Sequence, residues 1–248
     1  MSNRLIITSG PSCVGKTPLV AALGKFYPDL LACFKKLVIY NSRAPRPKEI
    51  DGVDYYFRSL RQLQGLKRKK NFIVIKVRGD TQALDLGALR AILKTHNVLF
   101  EGNPFVYEII KKSGLLNTIP VTSVFIAPLS REEIIFLKNR RGKFFLKELI
   151  TDIMRRKLLR RTQHQKGALS LPDVRTIETR AASAYREIAL AFAYDYILVN
   201  HDGEDSDNWE AFYYPLGDAR KTLESFAEIL KGKNPLGAER WEKSLLSF

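Results

Sequence analysis

Short apolar runs alternate with segments whose apolar residues recur every three to four positions, the pattern of strands interleaved with helices. Residues 4–9 (Arg-Leu-Ile-Ile-Thr-Ser) read as a buried strand, and 19–26 as an amphipathic helix after it. The same reading predicts strands over 37–40, 72–77, 98–101 and 121–126, and helices over 60–67, 88–95 and 218–230. Ser130 and Glu133 stand at the spacing of a capping box and start a helix running toward Arg140. A long basic helix is predicted within 143–174, ahead of Pro172, with Leu146, Ile150, Met154 and Leu158 as its core-facing stripe. Strands alternating with helices predict an α/β fold: a parallel sheet covered by helices on both faces, with ligand at the carboxyl ends of its strands.

Composition narrows this picture. At 248 residues and 45% hydrophobic content, the chain can bury one sizeable core, and a single domain is expected. No apolar run approaches the roughly 18 residues that a membrane span needs. With Arg4 already in the first strand, no secretory or transit segment is expected, so the expectation is a soluble, cytoplasmic protein without a membrane partner. Two cysteines are too few for a disulfide framework. His96, His164 and His201 lie scattered with no patterned metal partner, so each is expected to be structural or exposed. The formal charge of +15 points to polyanionic ligands, and eleven Lys or Arg against Glu148 and Asp152 within 138–166 concentrate more than half the excess in one segment. That segment reads either as a solvated amphipathic helix or as a cover for an acidic substrate or nucleic acid, the last not favoured.

Candidate chemistry begins at Gly10-Pro11-Ser12-Cys13-Val14-Gly15-Lys16-Thr17, which fits the phosphate-loop pattern G-x-x-x-x-G-K-[ST] between a strand and a helix. Glycines at 10 and 15 let the backbone of Gly10, Ser12, Cys13, Val14 and Gly15 curl around an anion, with the positive end of the next helix aimed at it. Lys16 would reach the β- and γ-phosphates and Thr17 would offer its hydroxyl to Mg²⁺. Glu101, ending a strand, is the candidate for a second, carboxylate metal contact. Cys13, beside Lys16 at a helix start, has two readings: a thiol of lowered pKa, or a small loop residue, which is preferred.

A second stretch, 41–57, holds Arg43 and Arg46 three apart on a proline-stiffened backbone, a natural fork for phosphate oxygens. It resembles the T-T-R-x-P-R-x-G-E-x-x-G-x-D-Y-x-F signature of guanylate kinases, and Gly10-Pro11-Ser12 resembles that family's G-P-S-G loop. Ala127-Pro128-Leu129-Ser130, Arg141-Gly142, Ile177-Glu178-Thr179-Arg180 and the run Tyr194-Asp195-Tyr196-Ile197-Leu198-Val199-Asn200 resemble further family elements. The resemblance spans 4–57, 97–142 and 177–230, and it implies a core (1–39, 94–137, 193–230), a monophosphate-binding arm (40–93), a lid (138–180) and a tail (231–248). It places Arg43, Arg46, Tyr55 and Asn103 at the acceptor, with Lys16 and the lid arginines Arg141 and Arg180 as catalytic groups. ATP and Mg²⁺ are the implied cofactors, GMP the nominal acceptor. Where the family reads guanine, this chain carries Val74, the run Asp80-Thr81-Gln82-Ala83, Ile39 and Asn103, so a different acceptor such as a sugar phosphate stays open. The same frame could also serve a non-catalytic interaction module or a nucleic-acid binder. The lid is longer than the family's by about thirty residues (143–174), and residues 201–217 read as a loop insertion of no evident chemistry. No oligomeric state is implied.

Overall fold

The computed structural model describes residues 3–46, 49–114 and 117–246; residues 47 and 48 of the arginine stretch and the end of the tail lie outside them. One sheet holds β1 (Leu5–Ser9), β2 (Phe34–Lys36), β7 (Asn97–Gly102), β8 (Val121–Ala127) and β9 (Tyr196–Val199) in the order β2-β7-β1-β8-β9. The pairs β2/β7 and β8/β9 are parallel, as helical crossovers require. A second sheet takes the order β4-β3-β6-β5, from β3 (Tyr40–Asn41), β4 (Tyr56–Phe57), β5 (Phe72–Val77) and β6 (Asp80–Asp85). The helices are α1 (Lys16–Phe26), α2 (Pro28–Ala32), α3 (Leu60–Leu66), α4 (Leu86–Leu93), α5 (Pro104–Lys112), α6 (Arg131–Lys166), α7 (Leu171–Ile188) and α8 (Gly217–Leu230). Among the described residues, no helix is long and apolar enough to cross a membrane.

The chain divides into two compact units, 1–7 with 33–122 and 8–32 with 123–248. In the first, the strand expected over 37–40 is instead the link between β2 and β3, two strands in different sheets, and only Tyr40 of it is in a strand. Leu37 and Ile39 are buried between them: Leu37 N–H donates to Leu99 O at 2.9 Å, whereas Ile39 O accepts from Tyr56 N–H at 2.9 Å. Apolar periodicity cannot reveal a change of partner inside one buried run. The strand pattern also does not foresee β6. Its hairpin with β5 closes through Arg78-Gly79, both at positive φ (52° and 93°), which matches the right-handed strand twist and sets Val77 opposite Asp80. Also unforeseen was α5, although Asn103 caps it and Pro104 opens it.

In the second unit, the capping boxes of α6 (Ser130, Glu133) and α7 (Ser170, Asp173) satisfy backbone donors at both helix starts. A kink at Gly142 (φ 78°, ψ 170°) divides α6, a conformation that a side chain would strain. Beyond the kink the expected stripe is fully buried: Leu146, Ile150, Met154 and Leu158 pack where α6 meets Ile177, Ala181, Ala184 and Ile188 of α7. Each such side chain stabilises by about 1.5–3 kcal/mol, so the insertion is a packed element with its own core. The tail docks on the same unit: Glu239 bridges Ile197 at the edge of β9, and Trp241 and Leu245 are buried.

Candidate active site

β1 delivers the phosphate loop, and α1 starts directly after it at Lys16. Gly10, Cys13 and Gly15 take positive φ (151°, 67° and 100°), the curled backbone that turns successive N–H groups inward. Both glycines are required. A Cβ at Gly10 would stand 2.5 Å from Ile126 O, and one at Gly15 2.4 Å from Asn200 Nδ2. Lys16 Nζ donates to Gly10 O at 2.8 Å and Pro11 O at 2.7 Å, arching its ammonium over the loop. Cys13 is buried; its thiol donates to Lys157 O at 3.3 Å, and desolvation pushes its pKa up to about 12, which overturns the low-pKa reading and leaves the small loop residue.

The segment after β9, chemically silent in its sequence pattern, closes around this loop. Asn200 Nδ2 donates to Val14 O at 2.8 Å, and Glu204 N–H to Cys13 O at 3.0 Å. The Glu204 carboxylate hydrogen-bonds and ion-pairs with Arg161 of α6 at 2.7 Å, and the Thr17 side chain lies within its electrostatic reach. Burial opposes its ionisation, but the charges of Arg161 and Lys16 and that hydrogen bond hold its pKa below the usual carboxylate value. Among the described residues, no three His, Cys, Asp or Glu side chains gather as a metal site. The Thr17 hydroxyl and the Glu204 carboxylate are nevertheless oxygen donors of the kind a magnesium ion shares with substrate phosphates, so the residues fit that ion. His201 bridges Glu133 Oε2 (2.8 Å) and Asp218 Oδ2 (2.5 Å), as expected of a structural histidine.

The acceptor candidates cluster in the other unit. Arg43 forks Glu49 through two 2.6 Å hydrogen bonds, and Glu49 Oε2 also accepts the Arg46 N–H at 2.7 Å, so one carboxylate pre-sets both arginines. The Arg43 guanidinium lies 5.1 Å from the Tyr55 ring centroid and 5.4 Å from that of Phe57. Burial raises the Tyr55 phenol, with Arg43 opposing and Glu101 and Glu49 adding, which brings Glu101 at the end of β7 within electrostatic reach of this cluster. Asn103 accepts from Phe105 N–H at 2.9 Å as the cap of α5. Within the run Asp80-Thr81-Gln82-Ala83, Thr81 is buried with N–H and C=O both committed to Ser42. Asp80 stays half-buried, its carboxyl raised by desolvation against the pull of Arg43 and Arg78.

The two arginines expected to belong to a lid, Arg141 and Arg180, lie on the long helices α6 and α7. Arg141 precedes the kink, exposed, with its guanidinium 5.1 Å from the Phe145 ring; Arg180 is half-buried on α7. Several cations of the insertion are held by partners within the fold. Arg155 pairs with Glu178 (2.7 Å), Arg156 with Asp152 (3.0 Å) and Lys166 with Asp173 (2.5 Å), while Lys157 Nζ donates to His201 O (2.6 Å). A backbone-binding surface for nucleic acid needs such charges free to displace counterions.

A phosphate loop between the first strand and helix of a parallel sheet, with an arginine clamp on a separate small sheet, defines a nucleotide-binding α/β protein. A family model described as guanylate kinase matches residues 2–164. A guanylate kinase of Alkalilimnicola ehrlichii is 30% identical over 96% of this chain and 97% of its own length. That of Rickettsia prowazekii is 30% identical over 80% of this chain and 83% of its own. The crystal structure of guanylate kinase from Anaplasma phagocytophilum shares the fold at TM-score 0.55 and 20% identity, covering 93% of this chain and 86% of that one. The chain belongs to the guanylate kinase family.

Proposed function

We propose that the protein transfers the γ-phosphoryl group of ATP to the phosphate of GMP, with Mg²⁺. The observation that carries this reading is an intact phosphate loop in a chain that also keeps Arg43 and Arg46 pre-set by Glu49. Family membership gives the acceptor class. Phosphoryl transfer of this kind needs positioning and charge neutralisation rather than a covalent nucleophile. The loop N–H groups from Gly10 to Gly15 hold the donor phosphates, and Lys16 leaves its carbonyls to follow the β- and γ-phosphates. Magnesium, when bound with the nucleotide, would supply charge neutralisation next to the Thr17 hydroxyl and the Glu204 carboxylate. Arg43, Arg46 and Tyr55 hold the acceptor phosphate, with Asn103 on the same side. Arg141 and Arg180 meet the charge that develops on the transferred group, a contribution worth roughly 10³–10⁵ in rate for arginines of this type.

Asp80 is our candidate for reading guanine: its half-buried carboxylate can accept from N1–H and N2–H₂, whereas Thr81 is buried with its backbone committed to Ser42. Arm (40–93), lid (138–180) and core would then work as one guanylate-kinase-like domain. Two cysteines that form no disulfide, together with nucleotide substrates, suit the cytoplasm. The paired cations of the insertion speak against nucleic acid as a partner. The test is ADP release with a panel of nucleoside monophosphates and sugar phosphates, in the wild type and in Asp80→Asn. GMP as best acceptor, with its advantage lost in Asp80→Asn, supports the reading; a sugar phosphate as best acceptor overturns it.

A further inference from the structure

The loop after β9 brings carboxylates to the donor site in a way that the phosphate-loop pattern does not foresee. Glu204 is anchored to the phosphate loop by its N–H on Cys13 O at 3.0 Å and by the Arg161 ion pair at 2.7 Å, with Lys16 and the Thr17 side chain within its electrostatic reach. Its placement is over-determined. Gly203 holds positive φ (71°) in a gap where a Cβ would meet Lys157 Nζ at 2.7 Å and Cys13 O at 3.0 Å. Trp209 Nε1 donates to Gly203 O at 2.6 Å, and the Asp202 carboxylate accepts from Asn208 Nδ2 (2.6 Å) and Ala219 N–H (2.8 Å), which fixes the loop on both sides of Glu204. Arg161 comes from the insertion helix and is only 13% exposed, so the pair is shielded from solvent.

A carboxylate fixed beside a triphosphate site acts on the ligand's own charge. Like charges a few ångströms apart in a partly buried site weaken binding by roughly tenfold to a hundredfold. A divalent cation between them reverses the sign. We propose that Glu204, held by Arg161, is a positioning residue of the donor site that acts on the Thr17 side chain and selects metal-bound over metal-free triphosphate. The enlarged lid thus takes part in donor recognition through the Arg161 side chain, while Arg155, Arg156 and Lys166 pair with acids of the long helices. This inference rests on the reading that Gly10 to Thr17 binds ATP with Mg²⁺.

The experiment is calorimetry of ATP binding to the full chain, in Mg²⁺ and in EDTA, for the wild type, Glu204→Gln and the double variant Glu204→Gln/Arg161→Gln. The double variant leaves no unpaired buried charge, and thermal melting checks that each variant is folded. Expected is a wild-type preference for Mg·ATP that falls at least tenfold in both variants, mainly through tighter binding of metal-free ATP. The KM for ATP should change while that for GMP does not. An unchanged preference, or equal weakening of both ATP forms in both variants, is the mark of a structural tether and overturns the proposal. No ATP affinity of the wild type in either condition would overturn the donor-site reading itself, and this proposal with it.

Discussion

Replacing Arg43 by Met probes the acceptor clamp, and the structure sets the size of the effect. The guanidinium and the Glu49 carboxylate are 13% and 17% exposed and share two 2.6 Å hydrogen bonds, so solvent screens the pair little. Arg43→Met strands Glu49 with the Arg46 N–H and a 3.8 Å approach of Arg46 Nη1. Hydrogen bonds to charged groups contribute about 1.5–3 kcal/mol each, and losing one partner of a fully buried pair costs about 3–5 kcal/mol. For this partly accessible pair we expect a loss of about 2–3 kcal/mol in stability, between those limits. Loss of a phosphate fork worth about 2 kcal/mol should raise the KM for GMP roughly thirtyfold. Arg43→Lys keeps the charge without the fork and should recover only part of that. Glu49→Gln should destabilise the protein while changing the KM for GMP far less, because the guanidinium remains. Initial rates at varied GMP and fixed saturating ATP, with melting curves for each variant, measure both effects. A KM for GMP unchanged in a folded Arg43→Met protein would refute the clamp.

Three further outcomes follow from the second unit and the cysteines. Burial opposes protonation of His201, but its hydrogen bonds to Glu133 and Asp218 outweigh that and raise its pKa. The stabilisation is therefore complete below the unfolded histidine pKa of about 6.5 and is lost as pH rises through the folded value. Melting temperature should fall over that window in the wild type and lose that step in His201→Gln. Leu158→Ala empties a fully buried site between α6 and α7 and should cost about 2–5 kcal/mol in denaturant unfolding; a cost below about 1 kcal/mol would show the insertion is not packed as described. Cys33 is exposed and Cys13 buried with its thiol at about 12, so alkylation at neutral pH followed by peptide mass mapping should label Cys33 well before Cys13.

What could be read from the sequence was local. The phosphate loop is a contiguous pattern, the Ser130/Glu133 box a three-residue spacing, and the Leu146 to Leu158 stripe a helical period; each recurs in the fold. The contacts around the donor loop are of another kind. Asn200 meets Val14 across 186 positions, Cys13 meets Lys157 across 144, and Arg161 meets Glu204 across 43, so no periodicity or spacing carries them. Residues 201–217 carry no pattern for that reason, although Asp202 and Gly203 form an acidic, glycine-bearing turn that signals a fixed backbone. The strand over 37–40 failed differently: a buried apolar run records burial on both sides of a sheet switch, not the switch itself.

Transfer of phosphate from ATP to GMP through the loop ending in Lys16 and Thr17 leaves a direct chemical signature. Its most direct measurement is product analysis by phosphorus NMR of the full-length protein with ATP, Mg²⁺ and GMP. The account predicts ADP and GDP appearing in equal amounts, with Lys16→Met folded and inactive. ATP consumption without GDP, or GDP formation undiminished in Lys16→Met, would contradict it.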